Sequence, residues 1–134
     1  MRPSEVMIGD YLLDRSGFPK KVDEVLDDGV LLGGVYHHMS EMKGVPITPK
    51  LLLEVGFCTS KRNEMHGHLT GGSSGNLYRI EYMKPTAQSG KVLGVQFLGW
   101  SGYVSKTFNL PLPEYVHELQ HALKLCKIEK EIQL

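Results

Sequence analysis

The chain has 134 residues, carries 15 Lys+Arg against 15 Asp+Glu, and is 41% hydrophobic. This length suits one domain or two small subdomains, which bury roughly two-thirds of the unfolded surface without a covalent staple. The composition excludes a disordered or membranous chain, and the zero net charge argues against a generic nucleic-acid binder, which shows a basic excess.

Residues 6–13 are apolar and end at Asp14-Arg15-Ser16-Gly17, a turn cluster. A second strand follows over residues 18–26, where Val22 and Val25 break strict alternation and predict a bulge. Asp27-Asp28-Gly29 predicts a tight hairpin, with Gly29 supplying positive φ. Val30-Leu31-Leu32 continues the sheet, Gly33-Gly34 breaks it, and residues 35–39 form a further short strand. Short strands joined by tight turns point to a small SH3-like β-barrel unit over residues 1–45.

Thr48 and Pro49 mark a helix start, as N-cap and first helical residue, and Gly56 marks its end. Phe57 then folds back onto that helix. Residues 59–76 read as a long flexible loop with room for one short strand. Residues 77–82, 92–98 and 103–108 predict a three-stranded antiparallel meander. A helix follows from about residue 113 to 126, with Lys124 and Lys127 at its cation-favouring end. Residues 128–134 add a short strand or an ordered tail. The expected class is therefore α+β, with an α-β-β-β-α subdomain over residues 46–134 whose last helix packs on the meander.

The last helix contains His117-Glu118-Leu119-Gln120-His121, an H-E-x-x-H pattern. On a helix, residues four apart share a face, so His117 and His121 could hold zinc while Glu118 acts as general base on a bound water. No third ligand follows at a conventional spacing, which leaves only an upstream one such as His37-His38 or His66 and His68. The extended pattern needs Gly at 124 and His at 127, and both are Lys, while Glu129 and Glu131 follow too closely to return across a cleft. At roughly 100° per residue, Tyr115, Val116, Leu119, Ala122, Leu123 and Cys126 form an apolar stripe, with the two histidines nearly opposite and Gln120 and Lys124 flanking them. A solvated polar face without metal or other cofactor is the expectation, with a zinc-dependent hydrolase as the alternative.

His37-His38 and His66-Gly67-His68 are metal-capable pairs but read as polar loop or strand residues. Gly71-Gly72-Ser73-Ser74-Gly75 lacks the Gly-Lys-Ser/Thr ending of a phosphate loop. Tyr78, Trp100 and Tyr103 could form a stacking platform for single-stranded nucleic acid, although strand aromatics more often pack in cores. Cys126 on the apolar stripe reads as packed rather than nucleophilic. Cys58 and Cys126 form no C-x-x-C pair, residues 1–5 show no apolar leader, and no segment reaches the ~18–20 apolar residues of a bilayer span. A cytoplasmic protein with no membrane partner follows as the expectation.

Three blocks, residues 5–11 with Gly9-Asp10-Tyr11, residues 45–57 with Pro46-Ile47-Thr48-Pro49, and residues 115–123 around the histidine motif, resemble a group of small uncharacterised proteins. These occur in genomes and prophage-like elements of the Bacteroides group. In that group the last block often reads Val-His-x-Leu-Gln-Asn, which makes His121 incidental to this chain. The resemblance implies a bacterial protein from a mobile element and carries no activity with it. The expected function is a non-enzymatic interaction module with a protein partner. A nucleic-acid partner is the other option, and weak self-repulsion leaves a homo-oligomer open.

Overall fold

The computed structural model describes residues 3–57, 67–73, 76–83, 92–98, 104–128 and 130–134. The chain forms two compact units, one comprising Met1–Pro46 with Glu114–Leu134 and the other Ile47–Pro113. The C-terminal segment thus belongs with the N-terminal unit, whereas its position in the sequence groups it with residues 46–113.

In the first unit, β1 (Tyr11–Leu13), β2 (Pro19–Val25), β3 (Gly29–Leu32), β4 (Val35–His38) and β5 (Lys43–Gly44) form an antiparallel sheet in the order β4-β3-β2-β1-β5. Its two outer strands are not paired with each other, so no closed barrel is seen among the described residues. A 3-10 turn, Met39–Glu41, joins β4 to β5. The Asp14 carboxylate accepts N–H bonds from Ser16 and Phe18, which fix the first hairpin and hold its pKa below the ordinary carboxylate value. The register of β2 against β3 slips between Val22 and Glu24, so the predicted bulge is present. The slip lets Val22 face inward with Leu12, Val30 and Leu32, where Val6, Met39 and Met42 complete the core.

The hairpin at Gly29 forms for a different reason from the expected one. Gly29 has no positive φ. It starts β3 opposite His38, and a Cβ there would overlap the His37 carbonyl oxygen and stand 2.9 Å from the Tyr36 ring. Close approach of β4 requires the glycine. Positive φ is needed instead at Gly33 (56°) and Gly34 (81°), the two central residues of the β3–β4 turn.

Helix α2 (Val116–Leu125) buries Val116, Leu119 and Leu123. Its start is tied to β5's neighbourhood by the bridge between Pro46 and Tyr115 and by the Val116 N–H bond to the Val45 carbonyl at 2.9 Å. At its end the Ile128 N–H reaches the Leu123 carbonyl at 2.8 Å, with Lys127 held at φ 58° between them. That is the hydrogen bond of a Schellman stop, with lysine where glycine is usual. Ile128 and Ile132 are buried, and the Leu134 N–H donates to Tyr11 Oη, so the tail is ordered without being a strand. The expectation that this helix packs on the meander is corrected: it packs within the first unit, against β1.

The second unit begins with α1 (Pro49–Val55). Thr48 Oγ1 accepts the Leu51 N–H at 3.1 Å, and Gly56, at φ 113°, closes the helix as predicted. Phe57 is buried behind it. The sheet has four antiparallel strands in sequence order, β6 (Gly67–Ser73), β7 (Asn76–Met83), β8 (Val92–Leu98) and β9 (Val104–Pro111). β6 occupies part of the segment read as a loop. Its glycines hide the strand pattern, but Leu69 opposite Ile80 is buried, and the Tyr78 ring covers Gly71 across the pair. One face of the sheet buries Ile80, Tyr82, Leu93 and Val95, and Tyr82 Oη donates to the Pro113 carbonyl.

Candidate functional site

The histidine motif lies on α2, but its polar residues do not face water together. Glu118 Oε1 accepts the N–H groups of Glu114 and Tyr115, each at 3.1 Å. It thereby satisfies donors that the start of the helix leaves unpaired. Gln120 inserts its amide against the beginning of β1: Oε1 accepts the Tyr11 N–H and Nε2 donates to the Gly9 carbonyl, both at 3.0 Å. His121 Nε2 donates to Asp10 Oδ2 at 2.6 Å, and the same oxygen accepts the Met7 N–H at 2.8 Å. His117 is only 5% exposed, stacks on Tyr115 at 5.9 Å, and meets His121 edge-on at 5.9 Å.

The outward, solvated face expected for His117 and His121 is therefore corrected. Of the predicted stripe, Val116, Leu119 and Leu123 are buried, while Ala122 and Cys126 are half-buried and Tyr115 is exposed; the turn over residues 7–10 brings polar partners to a second side of the helix. Gly9, at φ 91°, permits that turn, and Asp10 within it is fully buried. Burial pushes the His117 pKa below 6.5, against a raising influence from the Asp10 charge. Two buried atoms here, Asp10 Oδ1 and His117 Nδ1, have no hydrogen-bond partner. Asp10 and Gln120 were not recognisable as site residues in the sequence. Asp10 reads as part of an apolar strand, and Gln120 as a flank of the polar face.

Among the described residues, no set of three His, Cys, Asp or Glu side chains is placed to hold a metal ion. Glu118, the general base of the zinc-hydrolase alternative, is engaged in helix capping. His37 Nδ1 donates to the Val35 carbonyl at 3.0 Å, and His38 Nδ1 accepts the Ser40 N–H at 3.1 Å as the cap of the 3-10 turn. Both have structural partners. His66 lies outside the described residues, as do Trp100 and Tyr103 of the alternative stacking platform. Tyr78, the platform's third member, lies over Gly71. Cys126 is half-buried, and desolvation pushes its thiol pKa up, away from nucleophilic character.

Among the grooves on the first unit, two border α2. One, of about 540 Å³, is lined by Leu13, Lys43, Gly44, Tyr115, His117 and Glu118 among others, and the Tyr115 ring lies directly on Gly44. The other, of about 680 Å³, runs between the Gly9 turn, the end of α2 and the C-terminal tail. Leu123, Ile128 and Ile132 line it together with Lys21, Lys124, Lys127 and Lys130. Both volumes fall in the range of ligand sites.

No protein-family model, curated protein or solved structure matches this chain. No helix among the described residues is long and apolar enough to cross a membrane.

Proposed function

We propose that the chain is a non-enzymatic interaction module that binds a protein partner through its first unit. The observation that carries this reading is the larger groove. It joins an aliphatic floor to a polar rim, and its one described carboxylate, Glu131, is bonded to Lys21 at 3.1 Å. Such a surface suits recognition and offers no nucleophile paired with a base. The strand order β4-β3-β2-β1-β5 with a 3-10 turn before β5 supports an SH3-like origin for the unit, even though the sheet stays open. The blocks resembling the Bacteroides-group proteins support a bacterial, mobile-element source. Two of them, residues 5–11 and 115–123, contain the partners Asp10, Gln120 and His121.

Affinity capture from the native host, with and without nuclease, tests the reading. A stoichiometric protein partner that survives nuclease supports it. Capture only through nucleic acid, or no partner together with measurable hydrolysis, rejects it.

A zinc-dependent hydrolase is the second reading, and the unpartnered buried pair Asp10 Oδ1 and His117 Nδ1 favours it. It requires about one tightly held zinc per chain, lost in His117→Ala. Metal-free protein after growth in zinc-supplemented medium rejects it.

A further inference from the structure

We infer that the larger groove is a docking site for an acidic amphipathic peptide segment, one that places aliphatic side chains on the floor and carboxylates on the rim. This rests on the interaction reading above and names the chemistry of the partner. The floor residues Leu123, Ile128 and Ile132 are 2–5% exposed and present no hydrogen-bonding side chain. They suit Leu, Ile, Val or Met from a partner.

The rim sets the sign of the ligand. Lys21 is occupied by Glu131 at 3.1 Å and sits 5.6 Å from the Tyr11 ring centre. Lys124, Lys127 and Lys130 make no ion pair among the described residues. Three unneutralised cations beside an apolar trough complement carboxylates that alternate with aliphatic groups. A helix C-terminus would ordinarily disfavour an anion. Here the terminal carbonyls of Ala122, Leu123 and Lys124 are already bonded by the N–H groups of Cys126, Ile128 and Lys127.

Lys127 adds a second observation. Its φ of 58° is the one positive value among the described non-glycine residues, at a helix stop where glycine relieves the strain. The strained backbone holds a charged side chain at the groove, a combination that points to a binding role.

The groove favours a peptide over nucleic acid. No aromatic ring lines it among the described residues, so bases would find nothing to stack on.

The test is selection from a random peptide library displayed on phage, followed by fluorescence-polarisation titration of the enriched peptide and of an oligothymidine strand. Enriched peptides should carry net negative charge interrupted by aliphatic residues, and their binding should weaken as salt rises. Lys124→Glu/Lys130→Glu should weaken binding about tenfold or more, while Lys43→Glu in the smaller groove should leave it unchanged. Lys127→Gly should bind more weakly while melting about 2–4 °C higher, a combination that loss of folding cannot produce. Enrichment of neutral or basic peptides, no enrichment, equal binding by the double variant, or stronger binding of oligothymidine each overturns the inference. A host partner retained by Lys124→Glu/Lys130→Glu would leave the interaction reading standing and refute this groove. Peptide binding without any host partner would do the reverse.

Discussion

Asp10 is the residue on which the polar side of α2 depends. A fully buried carboxylate is costly unless its lone pairs are used, and here one oxygen is used twice, by the Met7 N–H and by His121. Removing His121 withdraws the charge-assisted donor while the carboxylate stays buried. His121→Ala should therefore destabilise the protein by about 1.5–3 kcal/mol in urea unfolding. His121→Asn, which keeps an N–H donor, should recover part of that loss; equal losses would mean that the ring packs and does not bond. His117 gives a separate, pH-dependent signature. Its folded pKa lies below the unfolded value of 6.5, so the unfolded chain takes the proton first as pH falls. Its contribution to stability is complete above about pH 6.5 and is lost as pH falls toward the lower folded pKa. His117→Asn should flatten this part of the pH–stability curve relative to the parent, by at most about 1.4 kcal/mol per pH unit. Parallel curves would show that His117 does not titrate differently on folding.

At the scale of elements, local chemistry was readable and distant pairing was not. The α1 cap by Thr48, its Gly56 stop and the β2 bulge all follow from neighbours in sequence, and all are present. The one short strand allowed within residues 59–76 is the seven-residue β6, which the sequence does not place because Gly71 and Gly72 erase its alternation and the tyrosine that covers Gly71 comes from the next strand. The histidine motif was legible as a helix but not as a site, since Asp10 and Gly9 lie more than a hundred residues away, 111 in the case of His121 and Asp10. Glu118 separates the two meanings of the motif. As a cap, Glu118→Ala should cost about 0.5–2 kcal/mol of stability, and Glu118→Gln, which retains an acceptor, should cost less. A catalytic base would behave in the opposite way, with both substitutions abolishing turnover and neither needing to alter the unfolding midpoint.

For the whole molecule, the discontinuous first unit is the consequential feature. The chain completes β5, forms all of residues 47–113, and returns at Tyr115 to pair with Pro46. Closing contacts such as Gln120 with Tyr11 spans 109 positions, an entropic cost of about 4 kcal/mol if the intervening chain were a flexible loop. A prefolded second unit would shorten that loop greatly, so the insertion need not penalise the first unit. Each unit also has its own apolar centre, with Leu119 fully buried in the first and Ile80 fully buried in the second. Truncating either should cost about 2–5 kcal/mol, through lost burial and the cavity left behind. Hydrogen exchange should then place the two losses apart. Leu119→Ala should lower protection in β1, β2 and α2 while β7 and β8 keep theirs, and Ile80→Ala should do the reverse. Protection that falls evenly along the chain in both variants would show a single cooperative structure, in which the two units have no separate stability.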